Sequence, residues 1–146
     1  MPGVASLNKR EYYGHPDNTF WDIIIRVLSP TLSEDAMESL PYNNRATLLL
    51  RNKIALWDVL QFCDRKGSLD NAIKNEIKND FKDFFSQHPK IKTVIFNGQK
   101  AEKYFDSCFK QLAKEYALTL ITLPSTSPSH TLNTFTKLKT WRQVLV

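Results

Sequence analysis

A chain of 146 residues with 42% hydrophobic and 24% charged side chains is long enough to bury a core and has the composition of an ordinary globular protein. It contains no apolar run near the roughly 18 residues of a membrane span and no signal-peptide pattern, so we expect one cytosolic domain over residues 1–146. Two cysteines and three widely separated histidines argue against the common metal and iron–sulfur motifs, so no metal or cofactor is expected, and the net charge of +5 favours a polyanionic partner.

The first half of the chain predicts a loop, three helices and a strand, over residues 1–17 (loop), 18–28, 33–40 and 43–52 (helices) and 54–60 (strand). Either Asp17 or Asn18 is suited to cap the first helix. Ser29-Pro30 ends that helix because the residue before a proline disfavours helical dihedral angles.

The second half predicts a turn at 61–68 with Gly67, a helix at 69–86 with an alternative break near Asn79, a strand at 91–96, a helix at 99–116, a strand at 117–123 and a closing helix at 130–144. In the closing helix, the spacing predicts that Leu132, Phe135, Leu138 and Trp141 face inward. Strands alternating with helices indicate an α/β sandwich around a parallel sheet, in which ligands bind beyond the carboxyl ends of the strands.

Two polar loops carry the side chains suited to chemistry. Residues 12–21 place aromatic rings and the Asn18 amide beside a helix start, and residues 123–130 place hydroxyls and backbone amides between a strand and the closing helix. We predict that these loops face each other across one cleft. Rings for stacking, an amide for holding water and a small-residue loop for phosphate suit chemistry on a nucleic-acid base.

Four motifs follow one another along the chain: Met-Pro-Gly-x-x-Ser-Leu at 1–7, Tyr-Tyr-Gly-His-Pro-x-Asn-x-Phe-Trp at 12–21, Ala-Leu-Trp-Asp-Val at 55–59 and Leu-Pro-Ser-Thr-Ser-Pro at 123–128. In this order they resemble the signatures of the hypoxanthine (deoxyinosine) DNA glycosylases of the uracil-DNA glycosylase superfamily. The resemblance covers nearly the whole chain.

The resemblance implies a monofunctional enzyme of base excision repair. It would act as a monomer on double-stranded DNA and hydrolyse the N-glycosidic bond of deoxyinosine, with uracil as an alternative base. The implied fold is a three-layer α/β/α sandwich with a central parallel sheet of four strands. One further central strand, ending in Gly-Ser, would precede Met1, and this chain is expected to lack it.

The resemblance implies that Asn18 is the catalytic residue. An amide is not a base near neutral pH, but its carbonyl can orient a water molecule and oppose the positive charge of an oxocarbenium-like sugar. The alternative is that Asn18 only caps the helix, and both roles can coexist. Tyr13 is the expected stacking platform for the extruded base, with Tyr12 and Phe20 as alternatives, whereas Trp21 is assigned to the core.

The residues expected to contact DNA lie in the two loops and are Pro2, Gly3, Ser6, Ser125, Thr126, Ser127 and His130. His130 has a second interpretation as the cap of the closing helix, and His15 is expected to order the first loop.

Two further residues are expected to bind the base. Asp58 is placed at a strand end, where its carboxylate can accept a hydrogen bond from N1–H of hypoxanthine. Asn97, at the next strand end, is expected either to contact the base or to make the turn. Two other functions stay open: a truncated domain that binds DNA without catalysis, and a hydrolase of free nucleotides.

Overall fold

The computed structural model describes residues 2–65 and 73–146, in which the chain forms two compact units. One unit is Asp58–Ser125, and the other combines Pro2–Trp57 with Thr126–Val146. The expectation of a single domain stays a prediction. Across these ranges, no helix has both the length and the apolar character needed to cross a membrane.

The described ranges contain helices and strands in the order α1 (Val4–Lys9), α2 (Phe20–Leu28), α3 (Glu34–Glu38), α4 (Tyr42–Arg51), β1 (Leu60–Arg65), β2 (Ile73–Lys78), α5 (Phe81–Gln87), β3 (Thr93–Asn97), α6 (Gln99–Glu115), β4 (Thr119–Leu123) and α7 (Thr134–Leu145). The strands form two pairs, β1 with β2 antiparallel and β3 with β4 parallel. The predicted α/β class is confirmed.

The Asp58–Ser125 unit is built around the parallel pair. β3 and β4 run in register from Thr93 opposite Thr119 to Asn97 opposite Leu123, and α6 joins them and packs against both. An apolar cluster fills the space beneath α6, with Phe105 fully buried at its centre; its members are Phe81, Phe85, Phe96, Phe105, Leu112 and Ala113. This packing fixes the carboxyl ends of both strands at the same edge.

The secondary-structure prediction was wrong at the antiparallel pair. Residues 61–65 form part of β1 instead of a turn, and Ile73–Lys78 forms β2 instead of the first part of a helix, although Phe81–Gln87 is helical as predicted. The pair contains two register shifts, and Asn75 adopts a positive φ of 50°. The rest of the predicted turn and the start of the predicted helix, including Gly67, lie outside the described residues.

The core of the second unit is formed by α2, which packs against α4 and α7. Ile23, Ile24 and Ile25 are all at most 2% exposed, so this helix is buried around most of its circumference. Trp141 of α7 is buried as predicted. Phe135 is 77% exposed, and Leu132 is 36% exposed and lies before α7, so their predicted inward orientation was wrong.

Three other boundaries differ from the predictions. Val4–Lys9 forms a short helix inside the predicted loop, ended by Arg10 with a left-handed φ of 55°. Residues 54–58 have no ladder partner among the described strands, so the first predicted strand was wrong except at Leu60. The closing helix begins at Thr134 because the side chain of Asn133 accepts a hydrogen bond from the Thr136 N–H at 2.8 Å.

Candidate active site

The first loop is held by hydrogen bonds from buried side chains. The hydroxyl oxygen of Ser6, a residue only 6% exposed, accepts a hydrogen bond from the Gly14 N–H at 2.9 Å. The indole N–H of Trp21 donates to the carbonyl of Tyr12 at 2.8 Å, and the Tyr12 N–H donates to the hydroxyl of Tyr42. The loop around Tyr13 is therefore fixed on both sides.

Tyr13 and Phe20 form a stacked pair. Their ring centroids are 3.9 Å apart and their planes differ by 21°. Phe20 is 3% exposed, whereas Tyr13 is half-buried and has a left-handed φ of 55°. A positive φ is costly for a residue with a side chain, so the surrounding contacts must enforce this backbone. Of the two rings, that of Tyr13 belongs to the more exposed residue.

Asn18 lies immediately before the start of α2. Its Oδ1 atom accepts a hydrogen bond from the Phe20 N–H at 3.0 Å, while Thr19 occupies the N-cap position. Its backbone N–H donates to the carbonyl of His15 at 3.0 Å, and the Asp17 N–H donates to Nδ1 of His15 at 3.2 Å. An amide oxygen has two lone pairs, so Oδ1 can accept a hydrogen bond from a water molecule as well.

The two predicted loops meet directly beside Asn18. The carbonyl of Thr126 accepts hydrogen bonds from both the N–H of Thr19 at 3.2 Å and the hydroxyl of Thr19 at 3.4 Å. Thr126 is completely buried. This contact connects the start of α2 to the second loop across more than one hundred residues of sequence.

After Thr126 the second loop becomes exposed and polar. The hydroxyls of Ser127 and Ser129 lie 2.8 Å apart, and the His130 N–H donates to the carbonyl of Ser127 at 3.0 Å. Behind this loop lies Lys137 of α7, whose ammonium donates to the carbonyl of His130 at 3.1 Å. Since Asn133 caps α7, the alternative role of His130 as the helix cap was wrong.

In the Asp58–Ser125 unit the residues that follow β3 and β4 bring Gly98 and Ser125 close together. Asn97 is the last residue of β3, and Gly98 follows it with a φ of 98°. A Cβ atom on Gly98 would lie 2.9 Å from Cβ of Ser125, so this approach requires glycine.

Asp58 does not lie at a strand end. It precedes β1 in an irregular segment, and its carbonyl accepts a hydrogen bond from the side-chain amide of Asn79 at 2.8 Å. The predicted position of Asp58 was therefore wrong. The expected base-binding role of its carboxylate is a separate matter and stays a prediction.

The predicted residues thus fall into separate groups. Among the predicted site residues, the second unit holds Pro2, Gly3, Ser6, Tyr13, Asn18, Phe20, Thr126, Ser127 and His130. Gly3 precedes α1, where its φ of −78° is accessible to any residue. The other unit holds Asp58, Asn97 and Ser125.

The chain is similar to two curated archaeal proteins. It is 43% identical over 104 residues to "Hypoxanthine DNA glycosylase" of Methanosarcina barkeri and 33% identical over 104 residues to the protein of the same name from Methanosarcina acetivorans. Each match covers 71% of this chain and 63% of the relative, so the chain spans less than two thirds of the relatives' length. No family model matches.

A solved structure agrees with these relatives. The solution NMR structure of a Methanosarcina acetivorans protein described as a candidate uracil DNA glycosylase superposes with a TM-score of 0.78 at 29% identity, covering 99% of this chain and 83% of the other. This chain therefore resembles the hypoxanthine DNA glycosylases over most of its length. The resemblance predicted from the sequence, to the hypoxanthine DNA glycosylases of the uracil-DNA glycosylase superfamily, is confirmed.

Two residues support the loops in ways that were not predicted from the sequence. Gly14 anchors the first loop to Ser6, and Lys137 supports the second loop from beneath. The sequence does indicate the burial of Lys137, because residues four apart share a helix face and Lys137 lies four residues before the buried Trp141. No sequence pattern indicates the contact of Gly14 with Ser6.

Proposed function

We propose that this chain is a monofunctional DNA glycosylase that removes hypoxanthine from deoxyinosine in double-stranded DNA, with uracil as an alternative base. The observation that carries the proposal is the position of Asn18, which lies beside the Tyr13–Phe20 stack and is connected through Thr19 to the second loop. The 43% identity to a hypoxanthine DNA glycosylase supports it independently.

The proposed reaction breaks the bond between C1′ of the sugar and N9 of the base. The electron pair of that bond leaves with hypoxanthine, and the sugar becomes oxocarbenium-like. The carbonyl of Asn18 opposes the positive charge and orients a water molecule, whose oxygen bonds to C1′ while its proton passes to solvent or to the departing base. Because Asn18 does not titrate near neutral pH, the enzyme contributes little pH dependence there.

The aromatic pair supplies the platform for the base in this proposal. The extruded base stacks on Tyr13, while Phe20 supports the Tyr13 ring from behind. Stacking of about 1–3 kcal/mol offsets much of the few kcal/mol needed to remove a base from the duplex. Asp58 and Asn97 are the proposed hydrogen-bonding partners of the base, following the resemblance.

The proposed DNA-backbone contacts divide into residues that touch DNA and residues that hold them in place. Ser127 and His130, on the exposed part of the second loop, are assigned to phosphate, as are Pro2, Gly3 and Ser125 from the resemblance. Ser6 and Thr126 are buried, and we assign them a positioning role through the Gly14 N–H and through Thr19.

We further propose that the protein acts as a monomer. We also propose that β3 and β4 belong to a larger central parallel sheet in a three-layer α/β/α sandwich. Parallel strands are normally covered by helices on both faces, and two strands alone are only marginally stable. A crystal structure in which β3 and β4 have no further strand beside them would contradict this arrangement.

The experiment that tests the function is single-turnover excision from a duplex with one deoxyinosine, using wild type, Asn18→Ala and Asn18→Asp. We expect Asn18→Ala to lower the maximum rate at least about 100-fold, the usual cost of losing one preorganised charge-stabilising group. Asn18→Asp keeps an oxygen for the Phe20 N–H and serves as the control for folding. DNA binding without excision by every variant would instead indicate a domain that only binds.

A further inference from the structure

Lys137 is a buried lysine with no carboxylate partner in the described part of the chain. It is 3% exposed, although lysine is almost never fully buried unless paired. None of the ion pairs found among residues 2–65 and 73–146 involves it. Burial lowers the pKa of its ammonium, because the charged form loses water there. A methionine of similar length avoids that desolvation, so the stability of α7 does not by itself account for a lysine.

The hydrogen bond made by Lys137 fixes the direction of the neighbouring amide. The peptide unit between His130 and Thr131 is trans, as are all those in the described ranges. In a planar trans peptide the carbonyl and the N–H point in opposite directions. Since the His130 carbonyl points to the buried ammonium at 3.1 Å, the Thr131 N–H points away from it, within an exposed stretch of chain.

This amide follows closely on the hydroxyl pair of the second loop. Ser127 and Ser129 place their hydroxyl oxygens 2.8 Å apart, and the turn that contains them is closed by the bond from the His130 N–H to the Ser127 carbonyl. Backbone N–H groups and serine hydroxyls are common ligands of DNA phosphates. Lys137 is therefore the buried support of a short exposed segment that is rich in phosphate-binding groups.

We propose that Lys137 is a positioning residue for the DNA backbone: by holding the His130 carbonyl inward, it presents the Thr131 N–H to a phosphate beside the Ser127 and Ser129 hydroxyls. This inference rests on the proposed glycosylase function and adds to it a helix residue that does not itself touch DNA. Lys137 acts by orienting the peptide unit between His130 and Thr131 through its hydrogen bond.

The test compares Lys137→Met and Lys137→Gln with Lys139→Met, which removes the same charge from an exposed position on the same helix. Three quantities are measured: Kd for a duplex with a tetrahydrofuran abasic analogue, the maximum single-turnover rate on deoxyinosine, and Tm. We expect Lys137→Met to raise Kd about tenfold, as for one lost phosphate contact, with its maximum rate within about twofold of wild type and its Tm unchanged or higher. Lys137→Gln keeps an N–H donor and recovers part of the affinity, and Lys139→Met binds within about twofold of wild type.

Three outcomes would overturn the inference. Lys137→Met binding as tightly as Lys139→Met would show that Lys137 has no part in recognition. A loss of affinity accompanied by a lower Tm would make it an ordinary structural residue. A Lys137→Gln variant as weak as Lys137→Met would assign the effect to charge instead of to orientation. Failure of the proposed function would give a different result from failure of this inference. If the wild-type chain binds the duplex without excising the base, the Kd values of the variants can still be compared.

Discussion

Asn18 combines a structural and a proposed catalytic role in one amide. Its Oδ1 atom accepts the Phe20 N–H at the start of α2, a bond that fixes the orientation of the side chain. One lone pair then remains for water, so the same contact that stabilises the helix start also preorganises the proposed site. The catalytic role that the motif implies for Asn18 stays a prediction, and the partner of its side chain is visible only in the structure.

Tyr13 is the residue on which base affinity should depend. Tyr13→Ala removes the platform, and the loss of about 1–3 kcal/mol of stacking corresponds to about 5- to 150-fold weaker binding. Tyr13→Phe keeps the ring and is the matched control. Binding is measured with a duplex that carries a non-cleavable 2′-fluoro deoxyinosine, and with undamaged duplex for comparison. Equal affinities of the alanine and phenylalanine variants would exclude Tyr13 as the platform.

Ser6 should contribute to stability through a single buried hydrogen bond. Ser6→Ala leaves the Gly14 N–H without its partner, at a cost of about 1–3 kcal/mol in the free energy of unfolding. Ser39→Ala removes an exposed hydroxyl that bonds to the Asp35 carbonyl and should change the same quantity by less than about 0.5 kcal/mol. Urea denaturation measures both. Similar values for the two variants would argue against the positioning role of Ser6.

The turn from β3 into α6 depends on Gly98 for two reasons. Its φ of 98° is strained for any residue with a side chain, and an added Cβ would meet Ser125 at 2.9 Å. We expect Gly98→Ala to lower the free energy of unfolding by about 1–3 kcal/mol or more. The double variant Gly98→Ala/Ser125→Gly removes the clash but keeps the strain, so it should recover only part of the loss. A Gly98→Ala protein with the stability of wild type would contradict this account.

The elements that the sequence predicted well are those determined by local pattern. α2, α6, β3 and β4 all lie within a few residues of their predicted positions, because apolar spacing and the Asn97-Gly98 turn are read from neighbouring residues. β2 was not predicted because Ile73 and Ile77 have helical spacing. The strand forms by pairing with β1, which lies earlier in the sequence. Non-local pairing of this kind overrides a short local signal.

For the molecule as a whole, ordered motifs were more informative than physical patterns. They predicted the resemblance to the hypoxanthine DNA glycosylases, whereas the bond from Thr19 to Thr126 joins positions too distant for any spacing argument. Burial was also hard to predict on α7, where Lys137 lies inside and Phe135 outside. A helical pattern predicts which residues share a face of the helix. Only tertiary packing determines which part of the helix surface the rest of the protein covers.

The most direct test of the central claim is product analysis of wild-type protein acting on a deoxyinosine duplex. We expect release of free hypoxanthine in equal amount to abasic sites, with the strand intact until alkali is added and no release of adenine from a matched control. Failure to release base from deoxyinosine or uracil duplexes by folded protein that binds them would contradict it.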